Sequence, residues 1–175
     1  MPDILTLDKT LASQVNDILK EQPSLLPIDV ANLLNTNEAA VVFAMPGNDV
    51  VRISGEYAQD ILEDLPAWGP VTTIVRVLGS IFEVKGAFPK GKLAYGYYNL
   101  NPGKGQFHGH LRLDLITDIA LVSKPFRGTE SHYFGFFNAQ GESVFKIYLG
   151  RDAKRVLLAD QVQKFLQLKQ TWGQL

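Results

Sequence analysis

Imidazole chemistry in this chain of 175 residues rests on three histidines, His108, His110 and His132. Thiolate chemistry is excluded, because cysteine is absent; so is any disulfide framework. Two stretches gather the histidines. Phe107-His108-Gly109-His110-Leu111-Arg112 reads as a strand, whose side-chain period of two puts His108, His110 and Arg112 on one face and Phe107, Leu111 and Leu113 on the other. Two imidazoles at adjacent same-face positions could hold a metal, although no Asp or Glu joins them there. The alternative is three polar side chains on the wet side of a half-buried sheet. Gly109 between them marks a bulge or a place where something flat approaches the backbone.

The second stretch is Ser131-His132-Tyr133-Phe134-Gly135-Phe136-Phe137. His132, Phe134 and Phe136 share one face; Tyr133, Gly135 and Phe137 share the other. The phenylalanines read as core. His132 and Tyr133 each need a hydrogen-bond partner if buried, and a tyrosine phenolate or an imidazole is also an axial ligand type for haem iron. Tyr95, Tyr97 and Tyr98 form a third aromatic group, which cross-strand packing alone would explain.

Much else is missing. The chain has no phosphate-binding glycine loop, no nucleophile elbow and no His-Glu-x-x-His. Its 17 basic and 18 acidic residues leave a net charge of −1, which argues against a main role in gripping nucleic-acid backbone. Apolar residues at 46% and charged residues at 20% describe a chain that buries a core. No apolar run is long enough to span a bilayer. Asp3, Asp8 and Asp17 near the start are unlike a secretory signal, and the lack of cysteine fits the cytoplasm, so a cytoplasmic location is expected.

The elements that must position these residues change character near Trp68. Before it, Leu7, Leu11, Val15, Ile18 and Leu19 form one helical stripe, with Thr6 or Asp8 as the expected N-cap and Pro23 as the stop. A second helix starts at Pro27 and a third covers Glu38 to Met45, broken by Pro46-Gly47-Asn48. The trio is shaped like a helix-turn-helix, but Glu38-Ala39-Ala40-Val41-Val42-Phe43 offers no Arg, Lys or Gln to read a base edge and suits burial. After a short extended piece at Asp49 to Ile53, Glu56 to Leu65 reads as a further helix, capped by Ser54. From Val71 the period is two: strands are expected at Val71–Val77, Ser80–Lys85, Leu93–Leu100, Gln106–Leu113, Ile116–Ser123, Ser131–Phe137 and Ser143–Leu149, with a turn at Asn101–Gly105 and a closing helix over Asp152–Leu168. Short connections make the pairing antiparallel. The fold class is therefore α+β: residues 1–67 a helical segment packed on the sheet, residues 68–175 a large antiparallel sheet with a C-terminal helix, the whole one structural unit. An open seven-strand sheet has two edges that a second copy could cover.

Six blocks occur in order: Trp68-Gly69-Pro70-Val71-Thr72-Thr73-Ile74-Val75, Gly96-Tyr97-Tyr98-Asn99-Leu100, Gly109-His110-Leu111, Phe126-Arg127-Gly128, Phe136-Phe137-Asn138, and Phe145-Lys146-Ile147-Tyr148-Leu149-Gly150-Arg151-Asp152. Together they resemble the intracellular haem utilisation proteins of the HutX/ChuX type, over almost the whole chain. The resemblance implies the fold of one half of the larger HemS/ChuS haem-handling proteins, a homodimer, and haem carried as cargo in the cytoplasm to a haem-degrading or storing partner. It implies His110, in the family's Gly-His block, as a haem contact. A further family histidine corresponds to Arg76, which could instead pair with a propionate. Tyr133 matches a family tyrosine, with His132 beside it. Tyr133 or His110 is thus the expected iron ligand, the other lying toward the distal side, with His132 third; His108 and Arg112 complete the contact set, and Phe134, Phe136 and Tyr97 with Arg112 and Arg127 supply apolar face and basic rim. The alternatives are a haem-degrading oxygenase-like enzyme and, third, a helix-turn-helix regulator.

Overall fold

A computed structural model of the chain describes residues 4–101 and 107–174, with their side chains from residue 10 on. Three helices come first: α1 (Ile4–Glu21), α2 (Pro27–Leu33) and α3 (Glu38–Ala44). Because α1 is already helical at Ile4, Thr6 and Asp8 lie inside it and not at its N-terminus. Pro27 opens α2, where its missing N–H removes no bond. Asn37 caps α3, its Oδ1 accepting from the Ala40 amide at 2.8 Å. β1 (Val50–Ser54) follows, then α4 (Ala58–Asp64) flanked by single 3-10 turns, with Ser54 capping the first of them.

The remaining strands are β2 (Pro70–Val77), β3 (Ser80–Ala87), β4 (Gly91–Ala94), β5 (Tyr97–Leu100), β6 (Gly109–Leu111), β7 (Ile116–Ser123), β8 (His132–Asn138) and β9 (Ser143–Leu149), before α5 (Ala159–Trp172). They form two antiparallel sheets rather than one: six strands in the order β1-β7-β8-β9-β2-β3, and three in the order β4-β5-β6. The expected strand Leu93–Leu100 is split by Tyr95 and Gly96, both in the left-handed region (φ 55° and 78°), the signature of a two-residue primed hairpin turn. A tyrosine in the first turn position hides that turn from any sequence rule. The expected strand Gln106–Leu113 is regular only over Gly109–Leu111 and passes into a 3-10 turn at Leu113–Leu115; Gln106 and the expected turn at Pro102–Gly105 lie outside the described residues. α5 begins seven residues later than the sequence suggests. The Asp152 carboxylate accepts from the amides of Lys154 and Val156 at 2.8 and 3.0 Å, and this local ring competes with a helix start.

Cross-strand partners share a face, so register assigns each layer. Ala120, Val122, Tyr133, Phe137 and Tyr148 face α1–α3 and pack with Val15, Val30, Val41, Val42 and Met45. Ile119, Leu121, Phe134, Phe136, Ile147 and Leu149 face the other way, toward Leu62, Leu65, Trp68 and Phe165, and toward Tyr98 and Leu100 from the small sheet. The order of layers is α1–α3, large sheet, then α4, α5 and the small sheet. Glu38, Ala39, Val41 and Val42 of α3 are buried in this packing, which leaves only Ala40, Phe43 and Ala44 partly open, none of them able to read a base edge.

Two polar features tie the layers. Gln161 of α5 accepts from the Gly150 amide at 2.7 Å and donates to the carbonyls of Trp68 and Pro70 at 3.0 and 2.8 Å. Gly150 must be glycine, since a Cβ there would stand 1.8 Å from the Pro70 carbonyl oxygen. On the opposite face Glu38 pairs with Lys146, both nearly buried, joining α3 to β9. Removing one partner strands a desolvated charge, whereas replacing both does not. Glu38→Ala should lower unfolding free energy by about 3 kcal/mol in a urea titration, and Glu38→Ala combined with Lys146→Met should recover most of that loss. An additive double variant would show the two charges to be independent.

Candidate functional site

The sequence-nominated residues fall into three places. Tyr133 and Arg76 lie on the face of the large sheet that α1–α3 cover. Tyr133 is buried and stacks on Tyr148 at 4.7 Å between ring centroids, with the Lys146 ammonium 5.5 Å from its ring. Its hydroxyl has no hydrogen-bond partner. Burial first, then the neighbouring Tyr148 and Glu38, push the Tyr133 phenol well above the usual range. The ligating form of tyrosine is the phenolate, and this environment opposes it. Half-buried Arg76 shares the face, and its charge only partly offsets the burial and the Glu38 carboxylate that raise Tyr148 to about 12.

His132 is in the opposite layer, buried against Phe165 with ring centroids 5.4 Å apart. Both ring nitrogens are engaged, Nδ1 with Ser123 Oγ at 2.9 Å and Nε2 with Glu130 Oε1 at 2.8 Å. No lone pair is left for iron. Phe134 and Phe136 are fully buried beneath α5 and its neighbours, so they are core rather than a landing surface. Arg127 lies outside these strands, in the left-handed region at φ 50° with its guanidinium over Phe126.

His110 is different. It is exposed on the outer face of the small sheet, opposite Asn99 in the β5–β6 register. The same register places Tyr97, Asn99, His110 and Lys92 on that outer face, while Tyr98 and Leu100 point into the core. The His110 ring meets Tyr97 edge-on at 6.0 Å, and its Nδ1 is 2.6 Å from Asn99 Oδ1. Beyond Tyr97, the Arg112 guanidinium stands 5.8 Å from the same ring and forks onto Asp114 at 2.8 and 2.6 Å. That fork, with the Asp114 charge, raises the already basic Arg112 and holds the Asp114 carboxyl below its usual range. Arg112 thus follows β6 instead of lying in it, yet Tyr97 still bridges it to His110. His108 precedes β6 and is exposed. An open cleft of about 360 Å³ adjoins, lined by Leu93, Tyr95, Tyr97, Arg112 and Leu113 among others, with Tyr95 fully exposed at the turn tip.

The geometry therefore separates the two expected ligands. Within one chain, His110 and Tyr133 lie on opposite sides of the large sheet and cannot sandwich one flat ligand. The His110 face fits a large planar molecule with anionic substituents: an accessible imidazole, the Tyr97 ring beside it, and cations at its margin (Lys92, Arg112). Sequence reading missed Asn99 and Lys92. The signal was available in the Gly96–Leu100 block, but using it required the pairing of β5 with both neighbours. Among the described residues, no group of three or more His, Asp or Glu side chains is arranged to hold a bare metal ion, and no helix is long and apolar enough to cross a membrane.

The family model for haem utilisation ChuX/HutX matches residues 51–168, and the chain belongs to that family. It is 56% identical over 170 residues to the intracellular heme transport protein HutX of Vibrio cholerae serotype O1, covering 95% of this chain and 88% of that protein. Its structure is similar to that of the heme-binding protein ChuX, with a TM-score of 0.80 and 32% identity, covering 90% of this chain and 97% of the other. The heme-degrading enzyme ChuS of Escherichia coli O157:H7 shares the fold at a TM-score of 0.76 and 20% identity; 92% of this chain overlays 46% of that one.

The buried tyrosine pair has a pH consequence. A folded-state phenol held above its unfolded value keeps its proton while the unfolded chain loses one, so stability falls as pH rises above about 10. Urea midpoints should decline from about pH 10 toward 12, and Tyr148→Phe should flatten the decline. An unchanged slope in that variant would mean that Tyr148 ionises as freely folded as unfolded.

Proposed function

We propose that this chain binds haem inside the cell and carries it to a partner that degrades or stores it, with His110 as the axial ligand. The observation that carries the reading is the exposed His110 imidazole, flanked by Tyr97 and Arg112, in a chain 56% identical to a protein named for intracellular heme transport. Haem offers a flat apolar ring, an iron that takes an imidazole nitrogen, and two propionates at one edge. The outer face of the small sheet offers a counterpart to each: Tyr97 and, at the turn tip, Tyr95 for the ring, His110 for the iron, Lys92 and the part of the Arg112 fork that Asp114 leaves free for the propionates.

The openness of the face suits delivery. A single axial bond on an exposed sheet releases its cargo by breaking one contact, where two axial bonds in a closed pocket would hold it. The partner that receives haem must therefore reach the same face.

The reading includes a homodimer. The β3 edge of the large sheet exposes Ile81, Phe82 and Val84, with Val77 and Leu78 at the adjoining turn. An unpaired apolar edge is a template for strand addition, and a two-fold axis lets the edge meet its own copy. Phe82→Glu with Val84→Lys should halve the mass seen by light scattering while leaving the circular dichroism spectrum unchanged. A native protein that already scatters as a monomer would remove the dimer.

Haemin titration followed by absorbance tests the cargo and its ligand. A saturable Soret band at about one haem per chain is expected, weakened about 10-fold or more by His110→Ala and left in place by Tyr133→Phe. Loss of the band in Tyr133→Phe alone would move the site to the helix-covered face. Bleaching of the reduced complex in air with catalase present would indicate degradation instead of carriage.

A further inference from the structure

Asn99 makes four contacts that together fix its amide. Its Nδ2 lies 3.3, 2.9 and 3.1 Å from the backbone carbonyl oxygens of Lys92, Ala94 and Tyr97. Carbonyl oxygens only accept, so the NH₂ end must face them; turning the amide over would set an oxygen against three oxygens. The other end, Oδ1, then points at His110 Nδ1 from 2.6 Å. An amide oxygen has no proton to give. The bond forms only if Nδ1 carries the hydrogen and donates it.

From this geometry we infer that Asn99 is a positioning residue: it locks His110 in the Nδ1–H tautomer and turns a bare Nε2 outward from the small sheet. The neutral ring has one proton and one lone pair on its two nitrogens. With the proton fixed on Nδ1, the lone pair is on Nε2. Free imidazole side chains in water favour the opposite tautomer, so the preference here comes from Asn99. The three carbonyls are the anchor. Two belong to β4 (Lys92 and Ala94) and one to β5 (Tyr97), on the two sides of the Tyr95–Gly96 turn, so the hairpin that projects Tyr95 also sets the direction of the His110 lone pair. The Tyr97 ring, edge-on to His110, limits rotation of the imidazole from the side.

The consequence for binding rests on the haem reading above; the tautomer itself does not. A ring whose second nitrogen is held by a hydrogen-bond acceptor is oriented before the metal arrives and is a stronger donor to it. Asn99 therefore raises affinity without touching the iron. It also selects Nε2, the nitrogen farther from the backbone, which keeps the porphyrin plane clear of the strand.

The haem-free protein supplies the first test. Nitrogen-15 NMR of the imidazoles at about pH 8, where an ordinary histidine is neutral, should show His110 with a protonated Nδ1 and an unprotonated Nε2. A protonated Nε2 in the native protein overturns the inference without any variant. Asn99→Leu, which removes both the acceptor facing Nδ1 and the anchor on the three carbonyls, should return His110 to the ordinary Nε2–H form. An unchanged tautomer in a folded Asn99→Leu also overturns it. Haemin titration is the second readout. Asn99→Leu should weaken binding about 10- to 100-fold. A native tautomer that shifts as stated, combined with haemin binding indifferent to Asn99→Leu and His110→Ala alike, would support the role of Asn99 and overturn the placement of haem.

Discussion

Strand β8 is buried on both faces, and the rest of the molecule is arranged around that constraint. A strand with two buried faces needs a layer on each side, and its alternating side chains must serve two cores at once. His132, Phe134 and Phe136 fill the layer under α4, α5 and the small sheet; Tyr133, Gly135 and Phe137 fill the layer under α1–α3. The polar members of β8 bear the consequences. His132 consumes both nitrogens to be buried, and Tyr133 is buried with its hydroxyl unpaired beside a stacked tyrosine. Both residue types are apt ligands in the abstract. Position in the central strand converts them into structural groups.

The outer sheet escapes that constraint. Only one face of β4-β5-β6 is needed to close the core, through Tyr98, Leu100 and their neighbours. The other is free to carry His110, Tyr97 and Lys92 in the open. The division of labour is physical: the β8 residues of the six-stranded sheet are fixed by packing, whereas His110 on the three-stranded sheet is held by a hydrogen bond that leaves it accessible. Asn99 supplies that bond, holding the His110 ring through Oδ1 and the hairpin carbonyls through Nδ2.

Much of the architecture was legible. The three N-terminal helices, the strands Ile116–Ser123 and Ser143–Leu149, and the antiparallel α+β class follow from apolar periodicity, proline placement and short connections. Three features were not. The Tyr95–Gly96 turn lacks the Asn-Gly or Asp-Gly pair by which such turns are known. The delayed start of α5 depends on an Asp152 carboxylate choosing nearby amides over a helix cap. The separation into two sheets is invisible to alternation, which reports that a residue has two faces but never which strand pairs with which.

For the site, the sequence determined the inventory: three histidines, no cysteine, an aromatic block around Tyr97, and a Gly-His pair in family order. It also fixed which side chains share a face within any one strand, because that period is a property of the backbone. Tertiary structure alone decided which of those faces meets water. It put Tyr133 and His110 on opposite sides of one sheet, and it brought Asn99, distant by 11 residues, within 2.6 Å of a histidine nitrogen. Burial and pairing are non-local, set by whichever layers close over a strand, and no pattern confined to the strand records them.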